Sequence, residues 1–66
     1  METIGQRIRT LRRKRGLTQA KLAQLSGLAS EHVCRLERDR RSPNLRTILA
    51  LSAALECQAA DLVGGA

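Results

Sequence analysis

The stretch LTQAKLAQLSGLASEHVCRLE, Leu17 to Glu37, decides the fold. Thr18 stands before QAKLAQL as a helix N-cap, and Gly27 stands after it, where a left-handed residue commonly closes a helix. Leu17, just ahead of the cap, and Leu22 are placed to meet as a hydrophobic staple. A second helix is predicted from near Ser30 to about Arg38. With Ala29 at zero, Val33 falls at about 40° and Leu36 at about −20°, a single inward stripe. Ser30, Glu31, Cys34, Arg35 and Arg38 then occupy the opposite face, at about 100° to 240°. Two short helices therefore cross at a tight turn, and the second holds a polar, arginine-bearing face away from the domain.

The flanks extend the helical reading in both directions. Before the stretch, Thr3 is a candidate N-cap and Gly16 a left-handed stop for a helix ending near Arg15, with Ile4, Ile8 and Leu11 as its buried stripe. After it, RDRRSPN (Arg38 to Asn44) reads as a basic loop stopped by Pro43, with Asn44 capping a fourth helix. Leu45, Ile48, Leu49, Ser52 and Leu55 are the expected core stripe of that helix. Cys57 to Val63 is predicted as a short fifth helix, with Cys57 a buried thiol, and Gly64-Gly65-Ala66 as a frayed tail. The expectation is one all-α, five-helix domain over residues 1–66.

Composition agrees. The apolar set is eleven Leu, nine Ala, three Ile and two Val with no aromatic residue, so the core is built from aliphatic helix-formers. Sixty-six residues lie near the lower limit at which a hydrophobic core alone suffices, and self-association would help. Twelve Lys and Arg against six Asp and Glu give a net charge of +6, and ten of the twelve are Arg. Such an excess on a small body suits a polyanion, and the planar guanidinium fork matches phosphate and the guanine edge.

Other classes fit poorly. Cys34 and Cys57 lack the paired spacing of a zinc site and one His does not complete it, so neither metal nor cofactor is expected. No nucleophile stands with a base, and the chain is too short to enclose a pocket, which argues against an enzyme and a small-molecule ligand. The apolar runs are too short for a membrane span or signal peptide, and reduced thiols in a cytoplasmic protein are expected.

Gln19, Ala23, Gly27, Val33 and Leu36 stand at the first, fifth, ninth, fifteenth and eighteenth places of the helix-turn-helix signature, which occupies residues 18–38. With IGQRIRTLRRKRGLTQ before it and LERDRRSPNLRTILALSAAL after it, the chain resembles the phage-repressor (Xre-like, Cro/C1-type) helix-turn-helix family over about residues 4–63. Ala23 must be small because the two helices cross there, and Gly27 supplies the positive φ of the turn. The resemblance implies a lambda-repressor-like domain that binds double-stranded DNA as a homodimer. Its recognition helices would lie roughly 34 Å apart on a pseudo-palindromic operator.

The resemblance also implies roles. Ser30, Glu31, Cys34, Arg35 and Arg38, with Ala29 less central, sit where the family reads bases. Gln19, Arg40, Arg41, Ser42 and Asn44 sit where it holds phosphates. Arg12 and Glu37 match a pair that the family uses inside the domain. Arg35 can give guanine O6 and N7 two hydrogen bonds, whereas Glu31 either accepts from cytosine N4 or holds Arg35, its i+4 neighbour. Leu51, Leu62 and Val63, each apolar, are the candidate dimer contacts, with burial in the domain's own core as the alternative. Asp39 and Glu56 replace glycines common in the family, and Gln58 replaces a usual Ser or Thr cap. The expected function is a transcriptional repressor or a restriction–modification-type controller. The alternatives are an antitoxin of a toxin–antitoxin pair, or a protein-interaction module with no DNA target; a toxin or a polymerase is the candidate protein partner.

Overall fold

A computed structural model describes residues 2–63; the predicted tail at Gly64 to Ala66 lies outside them. Five helices follow in order: α1 (Ile4–Lys14), α2 (Gln19–Ser26), α3 (Ser30–Glu37), α4 (Leu45–Leu55) and α5 (Ala59–Leu62). They form a body of 29 × 23 × 21 Å. The starts follow the sequence signals. Thr3 accepts from Gln6 N–H while the Gln6 side chain accepts from Thr3 N–H, and Thr18 and Asn44 accept from Lys21 N–H and Thr47 N–H.

The ends share one device. α1, α2, α3 and α4 each close on a left-handed residue, respectively Gly16, Gly27, Asp39 and Glu56. The N–H of the next residue then returns to a carbonyl five residues back: Leu17 to Arg12, Leu28 to Ala23, Arg40 to Arg35 and Cys57 to Ser52. Leu17, Leu28 and Cys57 pack onto the core, and Arg40 is exposed. Burial, and then the nearby Asp61 carboxylate, pushes the Cys57 thiol up.

Ile8, Leu22, Ala23, Val33, Leu36, Leu51, Leu55 and Leu62 form the core, with Ile4, Leu11, Leu17, Leu28 and Ile48 packed around it. Here α4 departs from expectation. Leu45 and Leu49 are 69% and 52% exposed, while Thr47 and Leu51 are buried with Ser52 and Leu55. The sequence LRTILALSAAL is apolar on nearly every side, so two stripes of helical period fit it, and contact with α2 and α5 selects the one through Leu51. Leu51 and Leu62, expected at a dimer contact, are therefore fully buried in the monomer's own core, and Val63 alone of the three is exposed.

One ion pair ties the first three helices together. Arg12 Nε donates to Glu37 Oε2 at 2.5 Å and Arg12 Nη2 to Oε1 at 3.1 Å. Both residues are over nine-tenths buried, at 8% and 5% exposure. Arg12 Nη1 also donates to Leu17 O at 2.8 Å, and Gln19 Nε2 to Glu37 Oε1 at 3.1 Å. A buried charge left without its partner cannot recover its hydration. Arg12→Ala or Glu37→Ala should therefore cost about 3–5 kcal/mol in urea unfolding. The isosteric apolar double replacement Arg12→Met/Glu37→Leu should cost clearly less than either.

α1 meets the end of α3 through its smallest residue. A Cβ on Gly5 would stand 2.3 Å from Leu36 O and 2.9 Å from Glu37 O, both backbone atoms. Gly5→Ala should therefore lower stability by about 2 kcal/mol, or roughly 10 °C in thermal midpoint, although alanine is the better helix former.

Candidate nucleic-acid interface

α3 is anchored by Val33 and Leu36, both fully buried, and this leaves its other side to solvent. Ser30, Glu31, Arg35 and Arg38 are exposed and Cys34 half-buried. The turn at Gly27 (φ 74°) swings the chain from α2 into α3, and Ala23, 3% exposed, keeps the crossing close. Glu31 Oε1 lies 3.7 Å from Arg35 Nη2, an exposed i,i+4 pair. That contact suits a carboxylate that orients the guanidinium, and at this exposure it adds little to stability.

A shallow depression on this face is lined by Glu31, Cys34, Arg35, Arg38 and Arg40. Arg40 thus joins the α3 face, whereas Arg41 and Ser42 lie exposed beyond it. Asn44 spends its Oδ1 on Thr47 N–H at 2.8 Å and keeps its amide NH2 as a donor. Gln19 gives one hydrogen of its side-chain amide inward to Glu37. What the start of α2 offers outward is backbone N–H, which a helix leaves unpaired in its first turn.

Charge sharpens the picture. Glu2, Glu31, Glu37 and Glu56 stand within ion-pair distance of Arg7, Arg35, Arg9 and Arg12, and Arg15. Among the described residues Arg13, Lys14, Lys21, Arg38, Arg40, Arg41 and Arg46 have no carboxylate that near, and four of these seven fall within nine residues of chain at the end of α3 and the start of α4. Uncompensated positive charge is therefore concentrated next to the outward face of α3, an arrangement that attracts a polyanion. Sequence reading alone did not find the role of Asp39. Its Oδ2 accepts the Thr3 hydroxyl at 2.6 Å and its Oδ1 the Gly5 N–H at 3.1 Å. The signal was an acidic residue at a position that calls for glycine.

Among the described residues no group of three His, Cys, Asp or Glu could hold a metal, and no helix is long and apolar enough to cross a membrane. Both cysteines are free.

Known proteins share this arrangement. A family profile described as helix-turn-helix matches residues 8–62. The immunity repressor protein of Bacillus phage phi105 is 42% identical over 62 residues, which are 94% of this chain and 43% of that protein. The repressor protein C2 of Salmonella phage P22 is 36% identical over 64 residues, 97% of this chain and 30% of that protein, so the chain spans less than half of either relative. Among solved structures, the restriction–modification controller protein C.AhdI of Aeromonas hydrophila superposes with a TM-score of 0.88 at 44% identity, covering 89% of each chain. The P22 c2 repressor in complex with a synthetic operator superposes with a TM-score of 0.92 at 35% identity over the whole of both chains. The chain belongs to the helix-turn-helix family, in its phage-repressor (Xre-like) branch.

Proposed function

We propose that this domain reads double-stranded DNA sequence-specifically and regulates transcription, as a repressor or a restriction–modification-type controller, in the cytoplasm. The observation that carries the reading is the outward face of α3, where Arg35 stands beside Glu31 next to a cluster of unpaired arginines. Its likeness to a repressor solved with an operator supports the same reading. Ser30, Glu31, Cys34, Arg35 and Arg38 would face base edges, with Arg35 on a guanine. Arg41, Ser42, the Asn44 amide and the backbone N–H groups at Gln19 would hold phosphates.

The working unit would be a homodimer on a pseudo-palindrome. Leu45, Leu49 and Ala53 lie on the exposed side of α4 at i, i+4 and i+8, while the helix buries its polar Thr47 and Ser52. Beyond Arg46 this side of α4 carries no charge, so a second copy of the chain can meet it without placing like charges in direct contact. Val63, 55% exposed after α5, would extend the contact. Two bodies of about this size side by side span the roughly 34 Å between successive major-groove faces. Control would then follow protein concentration through the dimer equilibrium.

Selection from a random duplex library at about 150 mM salt tests the reading, and a palindrome with half-sites one helical turn apart is expected. Recovery of no sequence would sink it. Arg35→Ala should relax one base step per half-site, whereas Arg41→Ala should weaken cognate and random DNA alike and flatten the salt slope by about one unit. Leu49→Glu should shift sedimentation toward the monomer and weaken operator binding while leaving helical content unchanged.

A further inference from the structure

Among the described residues two other than glycine are left-handed, Asp39 (φ 58°) and Glu56 (φ 54°). Such a residue persists only where its surroundings hold it. For Asp39 the hold comes from α1. Thr3 Oγ1 donates to its Oδ2 at 2.6 Å and Gly5 N–H to its Oδ1 at 3.1 Å. α1 has no acidic residue in its own first turn, so the Asp39 carboxylate supplies the anion that a helix N-terminus favours.

This turn has one further effect. It folds Arg40 back so that its N–H donates to Arg35 O at 2.9 Å. The same turn in α1, α2 and α4 sends Leu17, Leu28 and Cys57 onto the core, and only after α3 does it turn an arginine outward. Arg40, three residues past the end of the helix, then lines the same depression as Glu31 in its first turn. Arg40 therefore belongs with Arg35 and Arg38, and its sequence neighbour Arg41 does not.

The geometry points to Arg40 as a specificity-determining residue that reads a base edge, with Asp39 as its positioning residue through the clamp on Thr3 and Gly5. This rests on the DNA-reading function proposed above. A guanidinium delivered beside the recognition helix can give guanine O6 and N7 the same paired hydrogen bonds as one on the helix, provided its backbone is fixed. The clamp fixes it, because the Asp39 carboxylate joins the α3 turn to the first turn of α1.

The test is library selection followed by competition binding with single-base operator variants. Wild-type protein should recover a consensus, and Arg40→Ala should lose about ten-fold discrimination at one step per half-site, distinct from the step that Arg35→Ala relaxes. Asp39→Gly, which suits the left-handed turn but lacks the carboxylate, should relax the same step as Arg40→Ala. The double variant should lose no more than Arg40→Ala alone. Asp39→Asn, which keeps an acceptor for Gly5 N–H, should restore discrimination. Thr3→Val should reproduce part of the loss in a chain whose turn is untouched. Glu56→Gly, the same change at the other left-handed acid, should leave discrimination as it is.

Equal weakening of all sequences by Arg40→Ala would make it a phosphate contact and overturn the assignment, with the wild-type consensus still supporting DNA reading. Full discrimination in both Asp39→Gly and Thr3→Val would overturn the positioning role. A wild-type protein that selects no consensus would remove the DNA-reading function and this assignment with it.

Discussion

The buried contact between Arg12 and Glu37 is the constraint on which the rest of the domain depends. Glu37 is the last residue of α3, and its carboxylate is met by Arg12 from α1 and Gln19 from the start of α2. Arg12 in turn holds the carbonyl of Leu17, between α1 and α2. Three helices and one connection are thus referred to a single carboxylate within a core of eight small aliphatic residues. In a chain this short, with no aromatic side chain, apolar burial fixes composition more firmly than geometry. A paired buried charge accepts one arrangement of its partners, and so it can hold α3 at a set angle to α1 and α2.

Helix endings do the remaining work of aiming. Four helices finish in the same left-handed turn, two through glycine and two through an acid held by a distant partner: Asp39 by Thr3 and Gly5, Glu56 by Arg15 at 2.5 Å. Glycine closes the turn freely, whereas an acid closes it at some conformational cost and adds a tether across the fold. Both acidic turns fall where an element has to be oriented against α1, at the end of α3 and between α4 and α5.

The distribution of charge follows from this framework. Four of the acidic residues stand near arginines of α1, its C-cap Arg15 and α3, and the largest group left over is the run of arginines after α3. The excess positive charge of the chain is therefore concentrated, because its counter-charges are spent on structure elsewhere.

Much of this was legible in the linear sequence because it depends on neighbours a few residues apart. Thr3, Thr18 and Asn44 as caps, Gly16 and Gly27 as stops, and the outward face of α3 all follow from local backbone chemistry and a 3.6-residue period. What only the tertiary structure decided concerns residues whose partners are far along the chain. Which stripe of α4 turns inward depended on the surfaces of α2 and α5, so Leu51 and Leu62 went to the core and Leu45 and Leu49 to solvent. The inward turn of the Gln19 amide depended on Glu37, eighteen residues away, and the hold on Asp39 depended on Thr3, thirty-six residues before it. The sequence by itself determined where helices begin, end and present polar faces, since those are short-range matters of hydrogen bonding and periodicity. The fold alone decided which of several equally apolar or polar faces meets another, because that is settled by the shape and charge of surfaces brought together only on folding.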